Sequence, residues 1–234
     1  MQFNIKMFAD GANIEEIRTL RKNELVSGFT TNPTLMAKSG IKNYESFAKE
    51  AAQVCHPYSI SFEVFSDDLN EMVNQAKKIS KWAENIFVKI PVTNTKKEFT
   101  GSVISELANS GVKLNITAIM TVEQVKLVCE KLNRSIESII SVFAGRIADA
   151  GVDPVGIMAE SLKVTKSLEN AKLLWASPRE IYNLIQANEI GCDIITMTPD
   201  LWKKMEIIGT NLEDYSLATV KMFYEDGLKS GLSI

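Results

Sequence analysis

Lys89 lies in the stretch Ile86-Phe87-Val88-Lys89-Ile90-Pro91, at the end of an apolar run rich in β-formers. A charged side chain inside such a run is costly unless it has a partner or a task. A dry site disfavours the ammonium, and the free amine attacks carbonyls to form Schiff bases. The plainer reading is a lysine that closes a strand and snorkels to water, and local sequence alone favours it. The catalytic reading needs helpers. A protonated imine withdraws electrons from the adjacent carbon, so cleavage of the next C–C bond leaves an enamine and not a bare carbanion. A carboxylate must take a proton from the β-hydroxyl, a role that suits Asp10. A second acid/base must shuttle protons while the carbinolamine loses water, which suits Glu63 with Thr117 holding the water. A free lysine has a pKa of about 10.4, so supplying the neutral amine at pH 7.4 costs about 4 kcal/mol. An apolar interior lowers that cost.

These residues act together only if the fold gathers them. Strand candidates recur at residues 4–9, 25–30, 59–65, 86–90, 112–117, 139–143, 172–176 and 193–197. Each is rich in β-branched or aromatic residues and ends in small, polar or turn residues. Between them, apolar residues recur at helical spacing. Residues 69–83 carry Leu69, Met72, Val73, Ala76, Ile79 and Trp82; residues 122–132 carry Val122, Val125, Leu127, Val128 and Leu132. Asp67 and Asp68 are candidate N-caps for the first segment. Thr121 with Gln124 reads as a capping box for the second. Eight strand–helix units in 234 residues average about 29 residues, close to the ~30 of a βαβ unit. Nearly continuous apolar strands suit a parallel sheet covered by helices, and the eightfold count points to a closed (β/α)8 TIM barrel. A doubly wound sheet fits less well, because Asp10-Gly11-Ala12-Asn13 is no Gly-rich nucleotide turn. The eighth unit, 199–207, is short. No low-complexity linker divides the chain, so residues 1–234 are expected to form one domain. A last helix at about 212–228 presents Tyr215, Ala218, Met222 and Phe223 on an apolar face. It either closes its own barrel or docks on a neighbour.

In such a barrel, chemistry sits at the C-terminal ends of the strands. Taken in order, those ends supply Asp10; Thr30-Thr31-Asn32-Pro33; Glu63; Lys89; Asn115 and Thr117; Ser141, Phe143 and then Arg146; Ser177-Pro178-Arg179; and Thr196 with Thr198. Two carboxylates, a lysine and two amides in one ring are hard to explain as packing, and they turn the odds toward a catalytic Lys89. Arg146, Ser177 and Arg179 read as an anion site, since two guanidiniums offer forked donors that match a phosphate. Ser177-Pro178 resembles a helix N-cap followed by proline at N1, an end that favours anions by itself.

Composition narrows the alternatives. Net charge is −3, the pI is about 5.4 and no basic block appears, so nucleic acid is not the expected partner. No apolar stretch reaches the ~18 residues of a membrane span. The N-terminal residues show no long apolar leader, which makes cytoplasm the default. Cys55, Cys129 and Cys192 are scattered and odd in number, neither a disulfide framework nor a zinc set. His56 is the one histidine and cannot make a histidine metal cluster; it reads as structural. Proton transfers then fall to carboxylates, lysine, hydroxyls or water.

Phe8-Ala9-Asp10, Gly28-Phe29-Thr30-Thr31-Asn32-Pro33-Thr34, Val88-Lys89-Ile90-Pro91, Asn115-Ile116-Thr117-Ala118 and Phe143-Ala144-Gly145-Arg146-Ile147 resemble the transaldolase family. The resemblance runs to about Leu201, and the length resembles the short-chain branch, which also contains fructose-6-phosphate aldolases. It implies a class I aldol mechanism on sugar phosphates with no metal or organic cofactor. Lys89 would be the Schiff-base lysine, Asp10 the base for C–C cleavage, and Glu63 with Thr117 the handlers of water. Asn32, Asn115 and Ser141 would hold the dihydroxyacetone unit, and Arg146, Ser177 and Arg179 the phosphate. Thr30 matches less decisively and is kept as a site-wall residue. The branch also implies a homo-oligomer, up to a decamer, in which a C-terminal helix packs on a neighbour.

The aldolase branch carries a glutamine near the third strand and a tyrosine after the sixth. Glu63 and Phe143 stand here, and both favour the transferase. A tyrosine hydroxyl can place a proton-donating water near the enamine, whereas Phe143 cannot, so the enamine waits for an aldehyde. The implied reaction moves a dihydroxyacetone unit from sedoheptulose 7-phosphate or fructose 6-phosphate to glyceraldehyde 3-phosphate or erythrose 4-phosphate, in the non-oxidative pentose phosphate pathway. A fructose-6-phosphate aldolase and a non-catalytic sugar-phosphate-binding barrel are the competing readings. Ser141-Val142-Phe143 departs from the Ser-Pro-Phe of many longer relatives.

Overall fold

The structure, a computed structural model, describes residues 3–231; the ends of the expected domain, 1–2 and 232–234, lie outside them. In chain order the elements are β1 (Lys6–Asp10), α1 (Ile14–Leu20), β2 (Val26–Thr30), α2 (Pro33–Lys38), α3 (Tyr44–Cys55), β3 (Ser59–Glu63), α4 (Leu69–Ile79), β4 (Ile86–Pro91), α5 (Gly101–Asn109) and β5 (Leu114–Ile119). There follow α6 (Val122–Cys129), β6 (Ser138–Val142), α7 (Ala144–Asp149), α8 (Pro154–Thr165), β7 (Ala171–Trp175), α9 (Tyr182–Glu189), β8 (Ile194–Met197), α10 (Pro199–Lys203), a 3-10 turn (Lys204–Ile207) and α11 (Leu212–Ser230). The strands pair in sequence order, all parallel, and β8 returns to β1. This is the closed eight-stranded barrel with surrounding helices that the run of apolar segments predicts.

Alternation along each strand sorts residues onto two cores. Ile60, Phe62, Val88, Ile90, Ile116, Ile140 and Trp175 point outward and pack under the helices in one large core. Phe8, Phe87, Ile139, Leu174 and Ile194 form a second, smaller cluster inside the barrel. Ala176 extends this cluster on β7, and two residues further along the other four strands come Asp10, Lys89, Ser141 and Thr196. An apolar plug therefore lies beneath a polar mouth. Gly28 keeps the plug closed, because a Cβ there would sit 2.4 Å from the Phe8 ring.

Several helix starts follow their sequence signals. Asp68 accepts from Glu71 N, and Thr121 with Gln124 forms the expected capping box. Asp67 does something else: it accepts from the Thr95 backbone and hydroxyl at 2.7 Å each and ties down the loop after β4. The fifth strand differs most from its expected bounds. A register shift lies between Ile116 and Ile119, and Ala118 has φ +61°. This bulge at the barrel rim carries the strand past 117 and turns the exposed Ala118 into the mouth. The Ser177-Pro178 pair does not cap a helix. Ser177 has φ +60° and α9 begins only at Tyr182. The Asn183 side chain instead accepts from Arg179 N and Glu180 N. The reason lies across the loop, where the Ser177 carbonyl presses on Gly145, so that a Cβ at Gly145 would come within 1.6 Å of it. Helix α11 does not close its own barrel. None of its residues is buried, and Tyr215, Met222 and Phe223 are exposed.

Candidate active site

A cavity of about 390 Å³ opens at the C-terminal ends of the strands. Asp10, Thr30, Asn32, Glu63, Lys89, Asn115, Thr117, Ser141, Phe143, Arg146, Ser177 and Arg179 all line it, together with Thr196 and Thr198. The strand-end residues thus face one space, except Thr31, which is fully buried with its hydroxyl donating to the Ser61 carbonyl. A larger cavity, about 580 Å³, lies at the other end of the barrel. Its charges are mostly spent on one another: His56 pairs with Glu84 at 3.4 Å and Lys113 with Glu137 at 3.2 Å. That lysine–carboxylate pair is open to solvent, at 39% and 63% exposure against 8% and 17% for Lys89 and Glu63, so the smaller mouth is the place for carbonyl chemistry.

β4 brings Lys89 to the mouth, in register with Glu63 on β3 and Asn115 on β5. The Lys89 side chain is 8% exposed. Its Nζ donates to the Thr31 carbonyl at 2.9 Å and lies 3.5 Å from Glu63 Oε2. The end of β3 is held from behind by the Tyr44 hydroxyl, which donates to the Glu63 carbonyl at 2.8 Å. Burial pushes the Tyr44 phenol far above its ordinary range, so it stays a donor. Above the amine, Thr117 Oγ1 is buried without a hydrogen-bond partner among the described residues. An orphaned hydroxyl of this kind is a place for a water or a substrate oxygen.

Asp10 sits in different company. Oδ1 accepts from the Thr30 hydroxyl at 2.8 Å and Oδ2 from Asn32 Nδ2 at 3.2 Å. Asn32 also caps α2 through Oδ1, which accepts from Leu35 N at 2.9 Å, so its amide can point only one way. Desolvation raises the Asp10 carboxyl above the ordinary value of 3.8; the Lys89 charge and the two donors pull back, and Glu63 pushes the same way as burial. Asn115 is oriented just as firmly. Ser141 donates to its Oδ1 at 2.7 Å, and its Nδ2 donates to Ser61 Oγ at 3.0 Å.

At the anion end the two guanidiniums differ. Arg179 is engaged with Asp149, its Nε donating at 2.9 and 3.1 Å and its Nη2 donating to Oδ2 as well. Arg146 lies over the Phe143 ring at 5.7 Å and forms no ion pair among the described residues. Asp149 follows Arg146 by three on the same short helix and reads in sequence as a solvated charge. Thr196 stands among the strand-end residues, but its contact with Thr30 is set by the fold; Ser61 carries no sequence signal, since a hydroxyl inside a strand reads as ordinary. Among the described residues no group of three metal-ligating side chains occurs, and no helix is long and apolar enough to cross a membrane.

The closed parallel barrel with a buried lysine beside a carboxylate at its C-terminal mouth defines an aldolase-like class of site. Solved structures support the fold. A HpcH/Hpal aldolase/citrate lyase family protein from Burkholderia cenocepacia superposes with a TM-score of 0.59 at 11% identity, over 93% of this chain and 95% of that one. The family is set by sequence. Residues 7–230 match the model for Transaldolase/Fructose-6-phosphate aldolase, and the chain belongs to that family. Among its relatives, a protein of Dehalococcoides mccartyi named "Probable transaldolase" is 36% identical over 82% of this chain and 86% of its own length. One of the same name from Thermoanaerobacter is 32% identical over 98% of this chain and all of its own length.

Proposed function

We propose that this chain is a transaldolase that transfers a dihydroxyacetone unit through a Schiff base on Lys89. The observation that carries the reading is the Lys89 nitrogen, buried and 3.5 Å from Glu63 Oε2, with the Asp10 carboxylate held apart by its own donors. The amine attacks the ketose carbonyl to give a carbinolamine. Glu63 returns a proton to the departing hydroxyl, and the water leaves by way of the orphaned Thr117 hydroxyl. Asp10 then takes the β-hydroxyl proton of the iminium, the C–C bond breaks, an aldose phosphate departs and an enamine stays on Lys89. An incoming aldose phosphate closes the new C–C bond, and hydrolysis frees the lysine. Asn32, Asn115 and Ser141 hold the dihydroxyacetone hydroxyls. Thr30 walls the site, and Arg146, Ser177 and Arg179 receive the phosphate, with Arg146 the guanidinium that no carboxylate already occupies. Fructose 6-phosphate or sedoheptulose 7-phosphate is the donor and erythrose 4-phosphate or glyceraldehyde 3-phosphate the acceptor, as in the non-oxidative pentose phosphate pathway of the cytoplasm.

Phe143 favours transfer over release. It offers the enamine no hydroxyl through which a water could deliver a proton, so the acceptor aldehyde is the next electrophile to arrive. Incubation with fructose 6-phosphate tests this. Turnover should depend on added erythrose 4-phosphate; steady release of free dihydroxyacetone without it would make the enzyme a fructose-6-phosphate aldolase instead.

The chain is further read as one barrel domain with α11 appended, working as a homo-oligomer up to a decamer. The support is the run of Leu212, Leu217, Val220, Phe223 and Leu228 exposed along a single helix, more apolar surface than a lone subunit ordinarily leaves in water. Light scattering should give a mass several times 26.0 kDa; a monomer would contradict it.

A further inference from the structure

Behind Asp10 stands a second hydroxyl. Thr30 Oγ1 lies 2.8 Å from Asp10 Oδ1 and 2.6 Å from Thr196 Oγ1 on β8. Both threonines are buried, and both line the mouth. A hydroxyl has one proton to give, and an ionised carboxylate can only accept. When Asp10 is charged, the Thr30 proton must therefore point at Oδ1. The short contact behind it then has one allowed direction, with Thr196 donating to Thr30. Hydrogen bonds in such a chain polarise one another, each strengthening the next by about 10–30%.

We propose that Thr196 is a positioning residue for Asp10: it is the terminal donor of a two-hydroxyl chain that holds the carboxylate charged and aimed while the C–C bond breaks. The inference rests on the reading of Asp10 as the cleavage base. When Asp10 takes the substrate proton it becomes a donor, and the chain turns round, Asp10 giving to Thr30 and Thr30 to Thr196. No proton leaves the group; only the direction of two bonds changes. The charged groups facing Asp10 are Lys89 on β4 and Glu63 on β3. Among the described residues the Lys89 amine bonds the Thr31 carbonyl and pairs with Glu63, whereas the Thr196 hydroxyl bonds Thr30, so a change at Thr196 reads the hydroxyl chain and not the ion pair. The parallel β1–β8 pairing sets Thr196 opposite Phe8, two residues before Asp10 on β1.

The test is the Asp10 titration followed by ¹³C NMR in aspartate-labelled protein, the resonance assigned by its loss in Asp10→Asn. Alongside it runs the pH profile of transfer from fructose 6-phosphate to erythrose 4-phosphate. Thr196→Val should raise the Asp10 midpoint and the acid limb of the rate together by about half a pH unit, with imine trapping by borohydride unchanged at high pH. Thr196→Ser should restore both. If the valine variant does not fold, Thr196→Ala carries the same expectation. An unmoved Asp10 midpoint, or an equal shift in the serine variant, overturns the proposal. Asp10→Asn that cleaves fructose 6-phosphate at the parent rate would remove the base assignment itself. The NMR arm would still decide what Thr196 does to the carboxyl.

Discussion

The two carboxylates at the barrel mouth occupy contrasting surroundings. Glu63, on β3, faces the Lys89 amine across 3.5 Å, and its backbone is pinned by Tyr44. Asp10, on β1, forms no ion pair among the described residues; a hydroxyl and an amide serve its two oxygens, with a second hydroxyl behind the first. One acid is placed to trade protons with the amine, the other to receive one from a substrate hydroxyl. The same functional group is given two jobs by what surrounds it.

Exchanging each acid for its amide should break the comparison cleanly. Asp10→Asn should slow C–C cleavage by about 10²–10⁴-fold, the usual range for a lost general base, while borohydride still traps the imine. Glu63→Gln should do the reverse, slowing the appearance of the trapped adduct by a similar factor. Rapid-quench mass spectrometry separates the two steps; equal losses at both steps in both variants would mean that the division of labour is wrong.

A smaller effect concerns stability. Burial raises the Asp10 carboxyl above its ordinary 3.8. A raised folded-state pKa contributes stability that is present below the unfolded value and is lost as pH rises through the folded one. At neutral pH the charged Asp10 is therefore a liability to the fold. Asp10→Asn should melt a few degrees above the parent at pH 7, and the gain should shrink toward pH 4. A lower melting temperature at pH 7 would show that Thr30 and Asn32 more than offset the burial.

Much of this was legible in the chain. Eight β-rich runs separated by helical spacing announce the barrel, because a strand covered on both faces has little choice but to be apolar throughout. Polar residues at the ends of those runs mark the mouth, because a charge there is affordable only with a purpose. What the sequence hid depends on backbone detail. The bulge at Ala118 and the left-handed Ser177 are imposed by the rim and by Gly145 across the loop, and neither residue type advertises such a conformation. Ser177-Pro178 has the letters of a helix start but serves as a turn. Asp149 looks ordinary until the fold sets it against Arg179, and the strand-end Thr196 shows its partner Thr30 only once β8 closes on β1.

The claim on which the rest depends is that a covalent imine forms at Lys89 and nowhere else. Reduction with borohydride in the presence of fructose 6-phosphate, followed by peptide mapping, measures this directly. The account predicts one dihydroxyacetone-derived adduct on the peptide containing Lys89, absent in Lys89→Met. An adduct on another lysine, or none with the parent protein, would contradict it.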